Sequence, residues 1–170
     1  MSKAFTREDD GVPDLPVRLR RASTLPAGAR NYMTAGGVRR LREELERLLR
    51  DERPQLAAAA LDAEAKAQLQ QLDERILQLQ DSLQSAVVPP ATSPNGVVAF
   101  GTTINVREGT GEEACYRIVG VDEVDFDRGW VSWLSPLAKA LEGARVGQCV
   151  RFKVPAGDQE LTILSVTRDE

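Results

Sequence analysis

Hydrophobic positions follow two different rhythms along the chain. Val38, Leu41, Leu45 and Leu48 recur at alternating spacings of three and four, and so do Leu69, Leu72, Ile76, Leu79 and Leu83. That period keeps one apolar seam facing a partner helix, as in a two-stranded coiled coil. Thr34 has the chemistry of an N-cap, and Pro89-Pro90 ends the second run. Glu43 with Arg47, and Glu46 with Arg50, place acid four residues before base, the favourable order on a helix surface. Two matching stripes joined by a short connection predict an antiparallel helical hairpin over 34–85. Pro54 lies between the stripes, followed by the alanine-rich QLAAAALDAEAKAQ, so a kink or break is expected there. With its turn near Leu61 to Glu64, the hairpin has helices of roughly 25 and 22 residues and projects about 35 Å.

After a proline-rich linker over 86–95 the rhythm shortens to two. Phe100, Thr102, Ile104 and Val106 alternate, as do Cys115, Arg117, Val119 and Val121, while WVSWL, QCVRFKV and ELTILSV complete five strand candidates. Gly109 and Gly111 fit a hairpin turn between the first two. Ser135-Pro136 opens a short helix that Gly143 closes. The expected class is therefore α+β: a helical hairpin followed, over 96–170, by a small antiparallel sheet carrying one short helix. Residues 1–33 lack either rhythm and contain Pro13, Pro16 and Pro26, which predicts an extended arm. Six basic and four acidic residues give the arm a charge of +2, and Arg18, Arg20 and Arg21 read as part of a solvated tail rather than a polyanion contact.

Composition narrows the chemistry. The 170 residues include no histidine, which removes histidine-based nucleophilic catalysis and histidine-ligated zinc. Two cysteines, Cys115 and Cys149, are too few for a Cys₄ site, and their strand settings predict small buried hydrophobes. The formal net charge of -4 offers no broad cationic surface for duplex binding. No run is long and apolar enough for a membrane span or secretory signal, so a cytoplasmic protein is expected. Asp122, Glu123, Asp125 and Asp127 form the densest carboxylate group, but their spacing matches no calcium loop and reads as a solvated turn. Nothing nominates a catalytic residue, a metal site or a cofactor. Trp130 and Trp133 flank the start of the short helix, and strand parity leaves one of them, or Leu134, at the surface as a hint of a partner site.

Several long, ordered motifs carry a family resemblance: YMTAGGVRRLREELERLLRDERP at the hairpin's start, then FGTTINV, YRIVGVDEVD, WLSPLAKALEGARVGQCV and VPAGDQELTILSV. Over about 140 residues from Asn31 onward the chain resembles the bacterial transcript-cleavage factors GreA and GreB. The resemblance implies a coiled-coil finger that enters the secondary channel of RNA polymerase and an FKBP-like C-terminal domain that holds on outside. It implies a grip on the channel rim at Ser135, Pro136 and Leu137, with Lys139 in the same neighbourhood and Trp133 and Leu134 beside it. Nucleic acid would be met only indirectly, within the transcription complex, by a chain expected to act as a monomer. The departure is at the tip. The family's acidic turn of the type G-D-x-S-E-N, which supplies carboxylates to the polymerase's catalytic magnesium, is absent. The second leucine stripe arrives about a dozen residues early, shortening each helix by roughly six residues, or about 9 Å. Asp62 and Glu64 are the only acids near the new tip, and the basic face has thinned to Lys66 and Arg75.

These features predict a regulator that is not an enzyme: a Gre-like factor that binds core polymerase and alters elongation without stimulating cleavage. The alternative is a coiled-coil adaptor regulating another protein, such as an enzyme of nucleotide metabolism. A prolyl isomerase is a third reading, disfavoured because such pockets are lined by aromatics and this domain has few.

Overall fold

The structure is a computed structural model of the chain and describes residues 25–59, 63–90, 94–154 and 157–168. Helix α1 (Ala35–Arg47) begins where the Thr34 side chain accepts the Gly37 N–H at 2.9 Å, the N-cap its sequence calls for. A single π-helical turn, Leu48–Glu52, joins α1 to α2 (Arg53–Ala59), and α3 (Ala63–Ser85) returns alongside. The π turn is where the strain of Pro54 is absorbed. A proline ring collides with the carbonyl four residues back, here that of Arg50. Widening the helix so that the Arg53 N–H bonds the Leu48 carbonyl five residues back relieves that collision. The extra residue advances the apolar stripe by one position, so the seam passes from Leu41 and Leu48 to Leu56 and leaves Leu49 exposed.

Met33, Leu41, Leu48, Leu72, Ile76 and Leu79 form the buried seam, flanked by Val38, Leu45 and Leu83. Ion pairs bridge the two helices at the edges of the seam: Arg75 Nε to Glu44 Oε1 at 2.9 Å and Arg53 Nε to Asp73 Oδ1 at 2.7 Å. The Asp73 carboxylate raises the Arg53 guanidinium above its ordinary pKa. Glu46 and Arg50 pair as expected, whereas Arg47 turns from Glu43 to Glu52, which the π turn brings within reach.

The expected arm and linker boundaries need revision. Residues 1–24, including Pro13, Pro16 and the Arg18, Arg20 and Arg21 cluster, lie outside the described residues, as do Asp62 and residues 91–93. Asn31–Tyr32, however, forms β1, which pairs in parallel with β2 (Ala86–Val87), and Met33 is fully buried. The last residues of the arm and the first of the linker thus tie together the base of the helical pair. A two-residue parallel pairing across more than fifty residues leaves no local period, so neither segment stood out from its neighbours in the sequence.

The second layer is a five-stranded sheet in the order β5-β4-β3-β7-β6. Its members are β3 (Thr102–Glu108), β4 (Glu113–Val119), β5 (Trp130–Ser132), β6 (Cys149–Val154) and β7 (Gly157–Arg168), with α4 (Pro136–Leu141) between β5 and β6. The sheet is mixed rather than wholly antiparallel, because β5 runs parallel to β4, pairing Arg117 with Trp130 and Val119 with Ser132. The ten residues between them loop back so that β5 lies beside the last three residues of β4, an excursion the strand pattern alone does not reveal. Ile104, Val106, Ile118, Leu161 and Ile163 face Ala138 and Leu141 of α4, forming a core separate from that of the helical pair.

The opposite sheet face is polar: Asn105 bonds Ser165 at 2.8 Å and Arg107 bonds Glu113 at 2.9 Å. Cys115 lies opposite Asn105 on that face, and both cysteines are exposed, not buried as expected. Alternation explains Cys115, since it shares its side of β4 with Arg117 while Tyr116 and Ile118 turn inward. Partial burial pushes the Tyr116 phenol above its usual pKa, with the Glu108 charge adding to the effect. Among the described residues no helix is long and apolar enough to cross a membrane.

Leu79 is 2% exposed at the centre of the helical seam. Leu79→Ala is expected to destabilise the helical pair by about 3 kcal/mol, read by urea denaturation followed by circular dichroism at 222 nm.

Candidate functional site

Two places combine chemistry with position: the joint between helices and sheet, and the start of α4. The joint is built around Glu123, in a single 3-10 turn (Val121–Glu123) directly after β4, whose side chain is fully buried. Its Oε2 accepts the Thr34 N–H at 2.8 Å and the Gly120 N–H at 3.0 Å. Its Oε1 accepts the Thr34 hydroxyl and an Arg40 N–H at 3.2 Å. The Thr34 oxygen therefore works twice, accepting from Gly37 and donating to Glu123. A carboxylate over the first turn of α1 also meets the positive end of the helix dipole. Four donors and a favourable field offset the cost of burying the charge.

Two glycines make this approach possible. A Cβ on Gly37 would overlap the Glu123 carboxylate, and a Cβ on Gly120 would overlap the Tyr32 carbonyl. Next to this, the Asn31 amide donates toward Ser82, Ser85 and Asp122 at 3.1–3.3 Å, adding the end of α3 to the same knot. An aromatic cluster closes the other side, with Tyr32 edge-on to Trp133 at 5.1 Å between centroids and 6.0 Å from Phe100.

The expectation of a solvated turn over Asp122, Glu123, Asp125 and Asp127 is thus corrected for Glu123, the interior link between the two layers. Thr34 and Gly37, three apart at a helix start, signal a cap. Nothing in that spacing shows that an acid 89 residues away completes it. Among the described residues no three acidic or thiol side chains gather where they could hold a metal.

The start of α4 is positioned from the sheet. The Trp133 N–H donates to Val119 at 2.9 Å and the Ser135 N–H to Ser132 at 2.9 Å, turning the chain out of β5. The Ser135 hydroxyl then accepts the Ala138 N–H at 3.1 Å, with Pro136 in the first turn. Pro136 and Lys139 are exposed, Leu134, Ser135 and Leu137 half-buried. Trp133, expected near the partner, is half-buried and packs on the sheet core and against Tyr32. Trp130 is half-buried beneath the guanidinium groups of Arg40, Arg117 and Arg128, at 4.6, 5.4 and 5.3 Å from its ring centroid. Both tryptophans and Leu134 are half-buried, each keeping part of its surface in solvent.

At the far end of the helices Glu64 and Lys66 are exposed on α3, and Arg75 is engaged by Glu44. The structure therefore brings Trp133, Leu134, Ser135, Pro136, Leu137 and Lys139 together, and keeps Glu64 and Lys66 at the opposite end of the molecule from them.

Glu123→Ala is expected to leave the Thr34 and Gly120 donors buried and unsatisfied, costing about 3 kcal/mol. The conservative Gly37→Ala should also be damaging, through overlap rather than lost bonding. Thermal melts of both variants, with Glu43→Ala as a surface control, check this.

Comparison with known proteins completes the description. Residues 93–168 match the family described as "Transcription elongation factor, GreA/GreB, C-term". A transcription elongation factor GreB from Neisseria meningitidis serogroup A is 36% identical over 152 residues, covering 81% of this chain and 93% of that protein. A GreA from Alkalilimnicola ehrlichii is 37% identical over 150 residues, covering 79% of this chain and 95% of that one. Among solved structures, GreA factor homolog 1 (Gfh1) of Thermus thermophilus is 24% identical with a TM-score of 0.39, over 82% of this chain and 99% of that chain. The extent and identity of the sequence matches place the chain in the GreA/GreB family of transcription elongation factors.

Proposed function

We propose that the chain binds core RNA polymerase at its secondary channel, gripping the rim through the start of α4 while the helical pair enters, and that it alters elongation without stimulating transcript cleavage. Family membership supports the partner. The arrangement at α4 supports the grip: Ser135 fixes the turn, Pro136 and Lys139 stand out from it, and Trp133 braces it from below. Affinity then resides in the sheet layer and effect in whatever the helical tip reaches.

The observation that carries the reading of the effect is the composition of the tip. Between Arg53 and Leu72 the sequence carries two acids, Asp62 and Glu64, in the alanine-rich run ALDAEAKA, and no acidic turn of the family's type. An acidic tip that serves a metal must present paired carboxylates at tight tolerance. Two acids on a rod about 9 Å shorter than the family's do not supply that reach, and neither Asp62 nor Glu64 is given the role. Lys66 is too isolated to form a basic face for an RNA end.

Two measurements test the proposal. The chain should co-purify with core polymerase and compete with GreB for it, and the double variant Ser135→Arg, Pro136→Ala should bind at least tenfold more weakly. In stalled elongation complexes the chain should leave the transcript uncut, and Glu64→Ala should change nothing. Undiminished binding by the double variant would contradict the grip, and cleavage stimulated by the unmodified chain would contradict the silent tip.

A further inference from the structure

Phe126 is 85% exposed, while every other exposed large apolar side chain among the described residues lies between 38% and 51%. A single exposed apolar residue is ordinary on a protein surface. What sets Phe126 apart is the rigidity of the turn that displays it. The Trp130 N–H donates to the Asp125 carbonyl at 2.8 Å, and the Asp125 N–H to the Trp130 carbonyl at 3.2 Å, closing a narrow loop. Inside it the Gly129 N–H donates to the Phe126 carbonyl at 3.1 Å, a tight turn beginning at Phe126 itself.

The turn is also fastened to its surroundings. The Arg117 N–H on β4 donates to the Gly129 carbonyl at 3.0 Å. Gly129 has φ +70°, and a Cβ there would overlap the Cys115 carbonyl, so the close approach to β4 requires glycine. Arg128 pairs with Asp125 at 3.3 Å and lies over the Trp130 ring. Nothing is left for Phe126 to do inside the fold. It is an aromatic with few rotatable bonds held out from a preorganised base, the arrangement that loses least entropy on binding.

Its neighbours define what it can enter. Asp125 is neutralised by Arg128, but Asp122 and Asp127 are exposed and Asp127 has no ion pair among the described residues. The aromatic thus stands beside one unpaired carboxylate, that of Asp127, and complements an apolar pocket with a basic group at its rim. Its turn leads into β5, a sheet edge whose other end runs into the start of α4, so Phe126 and Pro136 bracket one short strand.

We propose that Phe126 is an apolar anchor that inserts into a basic-rimmed pocket on core RNA polymerase, forming a second contact beyond the α4 grip along the same sheet edge. This rests on the polymerase-binding reading above. The test is competition binding of the full chain to core polymerase with Phe126→Ser, Asp127→Lys and the Ser135→Arg, Pro136→Ala double variant. Phe126→Ser should melt like the unsubstituted chain, since the side chain is solvent-exposed, yet bind about 30-fold more weakly. Asp127→Lys should weaken binding about fivefold, and less at high salt. A photoreactive benzoylphenylalanine at position 126 should crosslink to a polymerase subunit. Phe126→Ser binding within about twofold of the unsubstituted chain, while the double variant is weakened, would overturn this anchor and leave the α4 grip standing. Crosslinking to nucleic acid alone would also overturn it. Failure of the unsubstituted chain to bind polymerase would overturn both readings.

Discussion

The molecule depends on one buried carboxylate. The helical pair and the sheet each have an apolar core, and the two cores are distinct. What sets the direction of one against the other is Glu123, which takes donors from Thr34 and Arg40 on the helical side and from Gly120 on its own. A buried charge is stable only when its acceptor sites are filled, and these donors fill them in a single arrangement. Tilting the helices would strand the carboxylate. Contacts between apolar surfaces tolerate sliding; a hydrogen-bonded charge does not. The direction of the projecting rod is therefore fixed by polar geometry, while its length and solidity come from leucines.

The same division separates the turn proposed to dock from the tip proposed to act. The α4 turn is built entirely from the sheet side, through Val119, Ser132 and the Ser135 cap. The tip is built from the helical side, where the sequence turns from leucine to alanine. Among the described residues the two ends meet at the Glu123 joint, the Asn31–Asp122 bond, Arg40 over Trp130 and the aromatic neighbours Tyr32, Phe100 and Trp133, all distant from the tip.

Much of this was legible in the sequence because local rules governed it. The three-and-four spacing placed Leu41, Leu48, Leu72 and Leu79 in one seam, Pro54 marked the irregular turn, and Ser135-Pro136 marked the start of α4. The missed features are those where distant residues decide. The β1 and β2 pairing and the parallel setting of β5 follow from how the chain returns, which no short window encodes. Glu123 looked like one of four surface acids, since burial depends on Gly37 and Thr34 arriving from the helical side. Cys115 was misread for a different reason. Apolar neighbours along a strand say little about a residue's own face, and its companion on that face is Arg117.

The most direct measurement is a cryo-electron microscopy structure of the chain bound to core RNA polymerase. The account predicts the start of α4 on the channel rim, Glu123 still bonded to Thr34, and the helical tip short of the catalytic magnesium. Asp62 or Glu64 seen ligating that ion would contradict it.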